Sequence, residues 1–328
     1  MSHLEALQEA MARSLLFFGG KGGVGKTTLA AARALESAAQ GTRTLLVSTD
    51  PAHSTSDALE VTLGPEPRKV AADLWAMELD PVTETERYMA EVRERIADAV
   101  PPRLAGEVER QLEVARASPG SEEAALFDRF ARIISDRQFE RIVFDTAPSG
   151  QTLRLLSLPE LMTTWTESLI SQRKKVNALG RMWRNVAGEA AGSEPQGSDT
   201  VLEALEERRE RFSDARTVLC NPARTAFLFV TIAERLPVLE THRIMTALSR
   251  HGIPVGGVIV NQLLPSATTD AFLVRRKARE GAHLADIAMR FEDWPVGYLP
   301  LLDRDPVGAD QLESLFGLLR AHGTEAPA

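Results

Sequence analysis

The sequence predicts an α/β fold: a mostly parallel, doubly wound sheet, with a helical subdomain inserted between its strands. Three observations carry this. Short β runs alternate with helical patterns along the chain, the signature of a parallel sheet wrapped by helices. Those runs are continuously apolar rather than alternating, as strands buried on both faces are. A glycine-rich turn, GKGGVGKT (Gly20 to Thr27), joins the first strand to the first helix.

In chain order, SLLFFGG (Ser14 to Gly20) is the first strand, and Lys26 to Ala39 is an Ala-rich helix. TRTLLVSTD (Thr42 to Asp50) and LWAMELD (Leu74 to Asp80) follow as buried strands. From Pro81 to about Asp136 the strands give way to helix, with Met89, Val92, Ile96 and Val100 recurring at helical spacing. RIVFDTAP (Arg141 to Pro148) returns to the sheet. From Leu158 to about Ala215, apolar stripes through Trp165 and Leu169, then Val176, Leu179 and Trp183, mark helix again. GEAAGSEPQGSD (Gly188 to Asp199) interrupts that stretch as a loop. TAFLFVTI (Thr225 to Ile232), VGGVIVN (Val255 to Asn261) and VGYLPL (Val296 to Leu301) complete the sheet. The organisation expected is one domain, 1–328, with a helical subdomain at approximately 81–136 and 158–215 inserted in the core.

Composition bounds the function. A chain of 328 residues can bury a core without a disulfide or metal staple. Lys and Arg total 38 against 46 Asp and Glu, a net charge of −8, which argues against a nucleic-acid partner. The single cysteine, Cys220, excludes a disulfide framework and a multi-thiolate metal cage within one chain. The apolar run Leu15 to Phe18 is too short for a secretory leader, and no stretch approaches the ~18 apolar residues of a membrane span. The expected location is cytoplasmic, with any membrane contact peripheral and made through a partner.

GKGGVGKT satisfies G-x-x-x-x-G-K-[ST] in the context the motif requires, after a strand and opening a helix. Gly20, Gly22, Gly23 and Gly25 let the backbone, with Lys21 and Val24, wrap phosphates with its N–H groups, and the helix N-terminus adds a favourable dipole. Lys26 would neutralise the β- and γ-phosphates, Thr27 would ligate Mg²⁺, and Thr28, in the first helical turn, joins the nucleotide-binding set. A turn with a solvated lysine is the bland alternative; the flanking strand and helix weigh against it. Asp145 ends a strand, where it can hold Mg²⁺ through water. The implied class is a P-loop NTPase using ATP and Mg²⁺.

The second lysine, Lys21, gives KGGVGKT, which resembles the deviant Walker A loop of the nucleotide-switch ATPases. With STDPAHSTSDAL (Ser48 to Leu59), FDTAPSGQTLRLLSLPE (Phe144 to Glu160), TIAERLPVLETHRIM running on to GVIVNQLLP (Thr231 to Pro265), PGSEEAA (Pro119 to Ala125) and PLL (Pro300 to Leu302), nearly the whole chain resembles the ArsA family. That family comprises the arsenical-pump ATPases and the targeting factor for tail-anchored membrane proteins. The resemblance implies ATP hydrolysis, a catalytic set of Asp50, Lys21 and Lys26, and a homodimer in which Lys21 reaches the partner's nucleotide. It implies that Asp50 orients or deprotonates the attacking water, though Asp50-Pro51 also suits a plain turn. Asp57 is either a switch residue or a helix N-terminal carboxylate and stays outside the catalytic set. Glu234 and Asn261 match nucleoside contacts, or can simply cap strand ends, and Pro300 joins the nucleotide-contacting set.

Departures narrow the client. Gln151 stands where the family often has His. The region PSATTDAFLVRRKAREGAH lacks the C-x-x-C pair of the eukaryotic targeting factors, so no zinc is expected. The several thiols with which pump ATPases bind arsenic or antimony are also missing. Met89, Met162, Met182, Trp165 and Trp183 fall where the family places a client groove, or form the core of a helical subdomain. Arg173, Lys174, Lys175, Arg181 and Arg184 can face anionic lipid or plain solvent. The partners implied are a second copy of the chain and either a hydrophobic membrane-protein client or a membrane permease or receptor. A partition-type positioning switch is a third reading, disfavoured by the STDPAH and DTAPSGQTLR segments.

Overall fold

The computed structural model describes residues 2–50, 54–97, 105–117, 120–146, 200–265 and 269–320, with isolated positions at 167, 170, 171 and 267. Gln151, the Met162, Trp165, Met182 and Trp183 group, the basic run from Arg173 to Arg184 and the loop 188–199 lie outside the described residues, as do Pro51 and Pro119. The chain gathers into two compact units, one made of 1–80, 136–154 and 218–328, the other of 81–135 and 155–217.

The first unit is built on an eight-stranded sheet. Its strands are β1 (Leu15–Gly20), β2 (Thr44–Ser48), β3 (Arg68–Ala71), β4 (Leu74–Glu78), β5 (Arg141–Asp145), β6 (Thr225–Ile232), β7 (Val255–Leu263) and β8 (Val296–Pro300), in the order β3-β4-β2-β5-β1-β6-β7-β8. Every pairing is parallel except β3 with β4. The α/β class is thus as expected, and all the parallel strands end on one edge. From β1 the chain crosses to β2 on one side while β6 lies on the other, so the turn after β1 sits where the winding reverses, the usual place for a ligand crevice. All six residues of β1 are buried. Phe17 stacks between Phe144 at 4.8 Å and Phe227 at 4.2 Å, with ring planes within 6° and 5°, which ties the three central strands together.

Helix α1 (His3–Met11) and strand β3 are among the elements that were not foreseen. Helix α1 opens with a capping box: the Glu5 N–H donates to Ser2 Oγ at 3.2 Å and the Ser2 N–H to Glu5 Oε2 at 2.7 Å. Its Leu7 packs where β7 and β8 carry Gly257 and Gly297; a Cβ on either glycine would come within 2.7 Å and 2.6 Å of the leucine methyls. Arg33 and Arg141 donate to the last carbonyls, Met11, Ala12 and Arg13, which the helix itself leaves unpaired. Burial, and then Arg33 beside it, push the Arg141 guanidinium down to about 10, so it stays charged at neutral pH. Strand β3 is a short antiparallel edge whose exposed Arg68 and Lys69 discourage further strand pairing. Strand β2 is shorter than expected, because Thr49 and Asp50 leave the ladder for the edge loops.

Helix α2 (Lys26–Ala39) buries nearly its whole alanine-rich length. The short helix α3 (Ser54–Leu59) follows β2, and β6 leads into α4 (Arg235–Arg250). The second unit consists of helices Pro81–Ala97, Ala105–Arg116, Ser121–Ser135 and Thr200–Leu219, the last belonging to it up to Thr217. Phe127, Phe130 and Phe212 cluster at its centre, and Met89 is buried in it, as core-forming residues are. Asp128 is buried among Arg132 at 2.8 Å, Arg211 at 3.2 Å and Arg208 at 3.6 Å, so its charge is matched.

Candidate active site

The turn from Gly20 to Gly25 is a backbone cradle that only glycine permits at its two ends. A Cβ on Gly20 would lie 2.2 Å from the Val230 carbonyl oxygen. Gly25 starts α2 at φ 94°, a left-handed conformation, and a Cβ there would meet Asn261 Nδ2 at 2.5 Å. With no side chain capping the first turn, its N–H groups are left for an anion. Lys26 is 5 % exposed, and its Nζ donates to the Lys21 carbonyl at 3.3 Å, across the mouth of the cradle. Lys21 is half-buried on the same loop, Gly22 and Gly23 are exposed, and Val24 is buried.

A knot of oxygens lies at the start of α2. Thr27 Oγ1 donates to Asp145 Oδ2 at 2.7 Å, so the 3.0 Å bond between Ser54 Oγ and Thr27 Oγ1 has serine as donor. Thr55 Oγ1 also donates to Asp145 Oδ2, at 3.4 Å. Asp145 is fully buried at the end of β5, and its Oδ1 has no hydrogen-bond partner among the described residues. An orphaned buried carboxylate oxygen beside a threonine hydroxyl is the donor set of a hard cation. Asp50 stands just beyond β2, its N–H on Ser48 Oγ at 3.3 Å, and the adjacent Thr49 N–H donates to the Asp145 carbonyl at 2.9 Å. Burial raises Asp145 from the ordinary 3.8 to about 6; the Thr27 bond and Lys26 oppose the rise, and the Asp50 charge adds to it.

That shift has a measurable consequence. Between pH ~4 and ~6 the folded chain holds this proton more tightly than the unfolded chain, so its share of stability is present at low pH and lost as pH rises through that window. In EDTA, wild type should lose up to about 3 kcal/mol relative to Asp145→Asn between those limits, measured by denaturant unfolding. A constant difference between the two proteins would contradict the burial effect.

The three expected nucleoside residues lie near the ends of the neighbouring strands β6, β7 and β8. Asn261 Nδ2 donates to the Val24 carbonyl at 3.0 Å, which ties β7 to the phosphate loop. Pro300 ends β8, where the Leu301 N–H donates to the Leu263 carbonyl at 2.7 Å. Glu234 precedes α4, about half exposed, and pairs with Arg276 at 3.3 Å. The fold therefore gathers Lys21, Lys26, Thr27, Asp50, Asp145 and Asn261 on one sheet edge, with Glu234 and Pro300 further along it. Sequence reasoning missed Ser54, Thr55 and the buried Glu78, whose Oε1 accepts the Ser56 N–H at 2.9 Å and anchors α3. A glutamate ending an otherwise apolar strand was the available signal.

A family model described as an anion-transporting ATPase, the ArsA ATPase model, matches residues 13–321. The chain belongs to the ArsA ATPase family. It is an ATPase by that membership. It is 33% identical over 301 residues to the putative arsenical pump-driving ATPase 2 of Aquifex aeolicus, covering 91% of this chain and 96% of that one. It is 32% identical over 306 residues to the putative arsenical pump-driving ATPase of Chlorobaculum tepidum, covering 91% and 73%. It is also 34% identical over 305 residues to ATPase ARSA1 of Chlamydomonas reinhardtii, covering 85% of this chain but only 38% of that longer protein. Among the described residues of this ArsA-family chain, no helix is long and apolar enough to cross a membrane.

Proposed function

We propose that the chain hydrolyses ATP with Mg²⁺ as a nucleotide-gated homodimer, and that it captures hydrophobic membrane-protein segments for delivery. The carrying observation for the chemistry is the buried Asp145 oxygen beside Thr27, a fit for Mg²⁺ at the phosphate end of the cradle. Thr27 and Asp145 would hold Mg²⁺, which would supply positive charge to offset that of the phosphates. Lys26 exchanges the Lys21 carbonyl for the β- and γ-phosphates. Asp50 aligns water for in-line attack on the γ-phosphorus and takes up its proton as the bond to the β–γ bridging oxygen breaks, releasing ADP and phosphate. Lys21 of each subunit serves the nucleotide of the other. Asn261 reads the adenine edge, and Glu234 and Pro300 border the nucleoside.

The client reading rests on the sequence: methionines and tryptophans in the helical stretch, and one cysteine. The relatives' names favour a second reading, a subunit driving an arsenite or antimonite permease. Thiol chemistry favours the first. Tight arsenite capture needs about three converging thiolates, and two chains supply only two. Arsenite and antimonite are therefore expected to leave ATP turnover unchanged, as is Cys220→Ser. An apolar peptide of transmembrane length should crosslink to the ATP-bound protein. Several-fold metalloid stimulation that Cys220→Ser removes would establish pump-driving instead.

A further inference from the structure

Helix α5 (Ala271–Arg290) is mostly exposed; over its 20 residues only Glu280 and Ile287 are buried. Glu280 is 6 % exposed and spends its charge on one backbone residue. The Leu264 N–H donates to Glu280 Oε1 at 2.9 Å, Lys277 Nζ donates to the Leu264 carbonyl, and Lys277 Nζ lies 2.9 Å from Glu280 Oε2. An ion pair thus satisfies both main-chain groups of the residue that leaves β7.

What it holds is irregular. Gln262 sits at φ 60°, a conformation costly for any residue but glycine, and the β7–β8 register shifts between Val260 and Leu263. Such a bulge sets which side chain faces which way, because an offset of one residue turns a side chain to the opposite face of the sheet. The side chain so placed is Asn261, held on the Val24 carbonyl. Glu280 is buried while Lys277 is half-buried. An ion pair with a desolvated carboxylate is a poor source of stability compared with apolar packing, so its use here is better explained by placement than by strength.

We infer that Glu280, assisted by Lys277, is a positioning residue for base recognition: it clamps Leu264 and keeps the β7 bulge in the form that presents Asn261 to the nucleotide base. This rests on the reading of Asn261 as the adenine contact.

The test compares binding of ATP, GTP and inorganic tripolyphosphate by calorimetry. Glu280→Ala is expected to weaken ATP binding about tenfold and to reduce the ATP-over-GTP preference by a similar factor, while tripolyphosphate loses far less. The turnover loss should lie in KM rather than kcat. Glu280→Gln, which keeps an acceptor for the Leu264 N–H, should recover most of the preference. If Glu280→Ala does not fold, the ATP-to-GTP ratio of Lys277→Met carries the test. Equal weakening of all three ligands, or an unchanged ratio, would overturn the clamp. An Asn261→Ala protein that loses the preference while Glu280→Ala keeps it overturns the clamp alone. A preference that Asn261→Ala leaves intact overturns both the clamp and the base reading beneath it.

Discussion

Lys26→Ala is expected to lose at least about 100-fold in affinity for ATP, with hydrolysis falling below detection. Lys26 is buried at the first position of α2, with its ammonium across the cradle on the Lys21 carbonyl. A triphosphate entering there brings several charges into a site where the loop itself otherwise offers main-chain N–H groups and a helix dipole, with Mg²⁺ and the partner's Lys21 added only under the proposed function. Charge-assisted bonds are about twice as strong as neutral ones, and the other cation of α2, Arg33, is committed to the Met11 carbonyl and Glu36. Fluorescent ATP-analogue titration reads the effect. Near wild-type affinity would mean that the phosphates bind elsewhere.

Asp50→Asn should bind ATP normally and turn over about 10²-fold more slowly or worse, the scale of a lost general base. The amide keeps the shape at the end of β2 but cannot take a proton from water. It also removes a negative charge beside Asp145, so turnover is compared at saturating Mg²⁺ to set aside any loss of attraction for the cation. Steady-state phosphate release and nucleotide binding separate these effects; hydrolysis within a few-fold of wild type would exclude Asp50. The same variant tests the trans role of Lys21. In a verified heterodimer of Asp50→Asn with Lys21→Ala, one site has both an intact Asp50 and an intact partner lysine, so part of the activity should return.

The phosphate loop was legible in the sequence because its chemistry demands fixed residue types at fixed spacing, and Asp145 because it ends an apolar strand. Glycine at positions 20 and 25 follows from close approach to Val230 and Asn261, which spacing alone could only suggest. Ser54, Thr55 and Glu78 escaped, since their roles come from which elements the fold places side by side. Helix α1 was legible in principle, through the Ser2–Glu5 capping box. Strand β3 was not, since RKVA is short, charged and paired only at an edge. The bulge at Gln262 gave no signal either, because a glutamine seldom marks a left-handed turn.

Asp145 and Thr27 are proposed to make this cradle a Mg²⁺-dependent ATP hydrolase. The direct measurement is phosphate release at saturating ATP as Mg²⁺ is titrated from EDTA upward, for wild type and Asp145→Asn. Wild type should be silent in EDTA and saturate with Mg²⁺, while Asp145→Asn needs at least about tenfold more metal or stays silent. Turnover in EDTA equal to that in Mg²⁺, or identical metal dependence in the two proteins, would contradict this proposal.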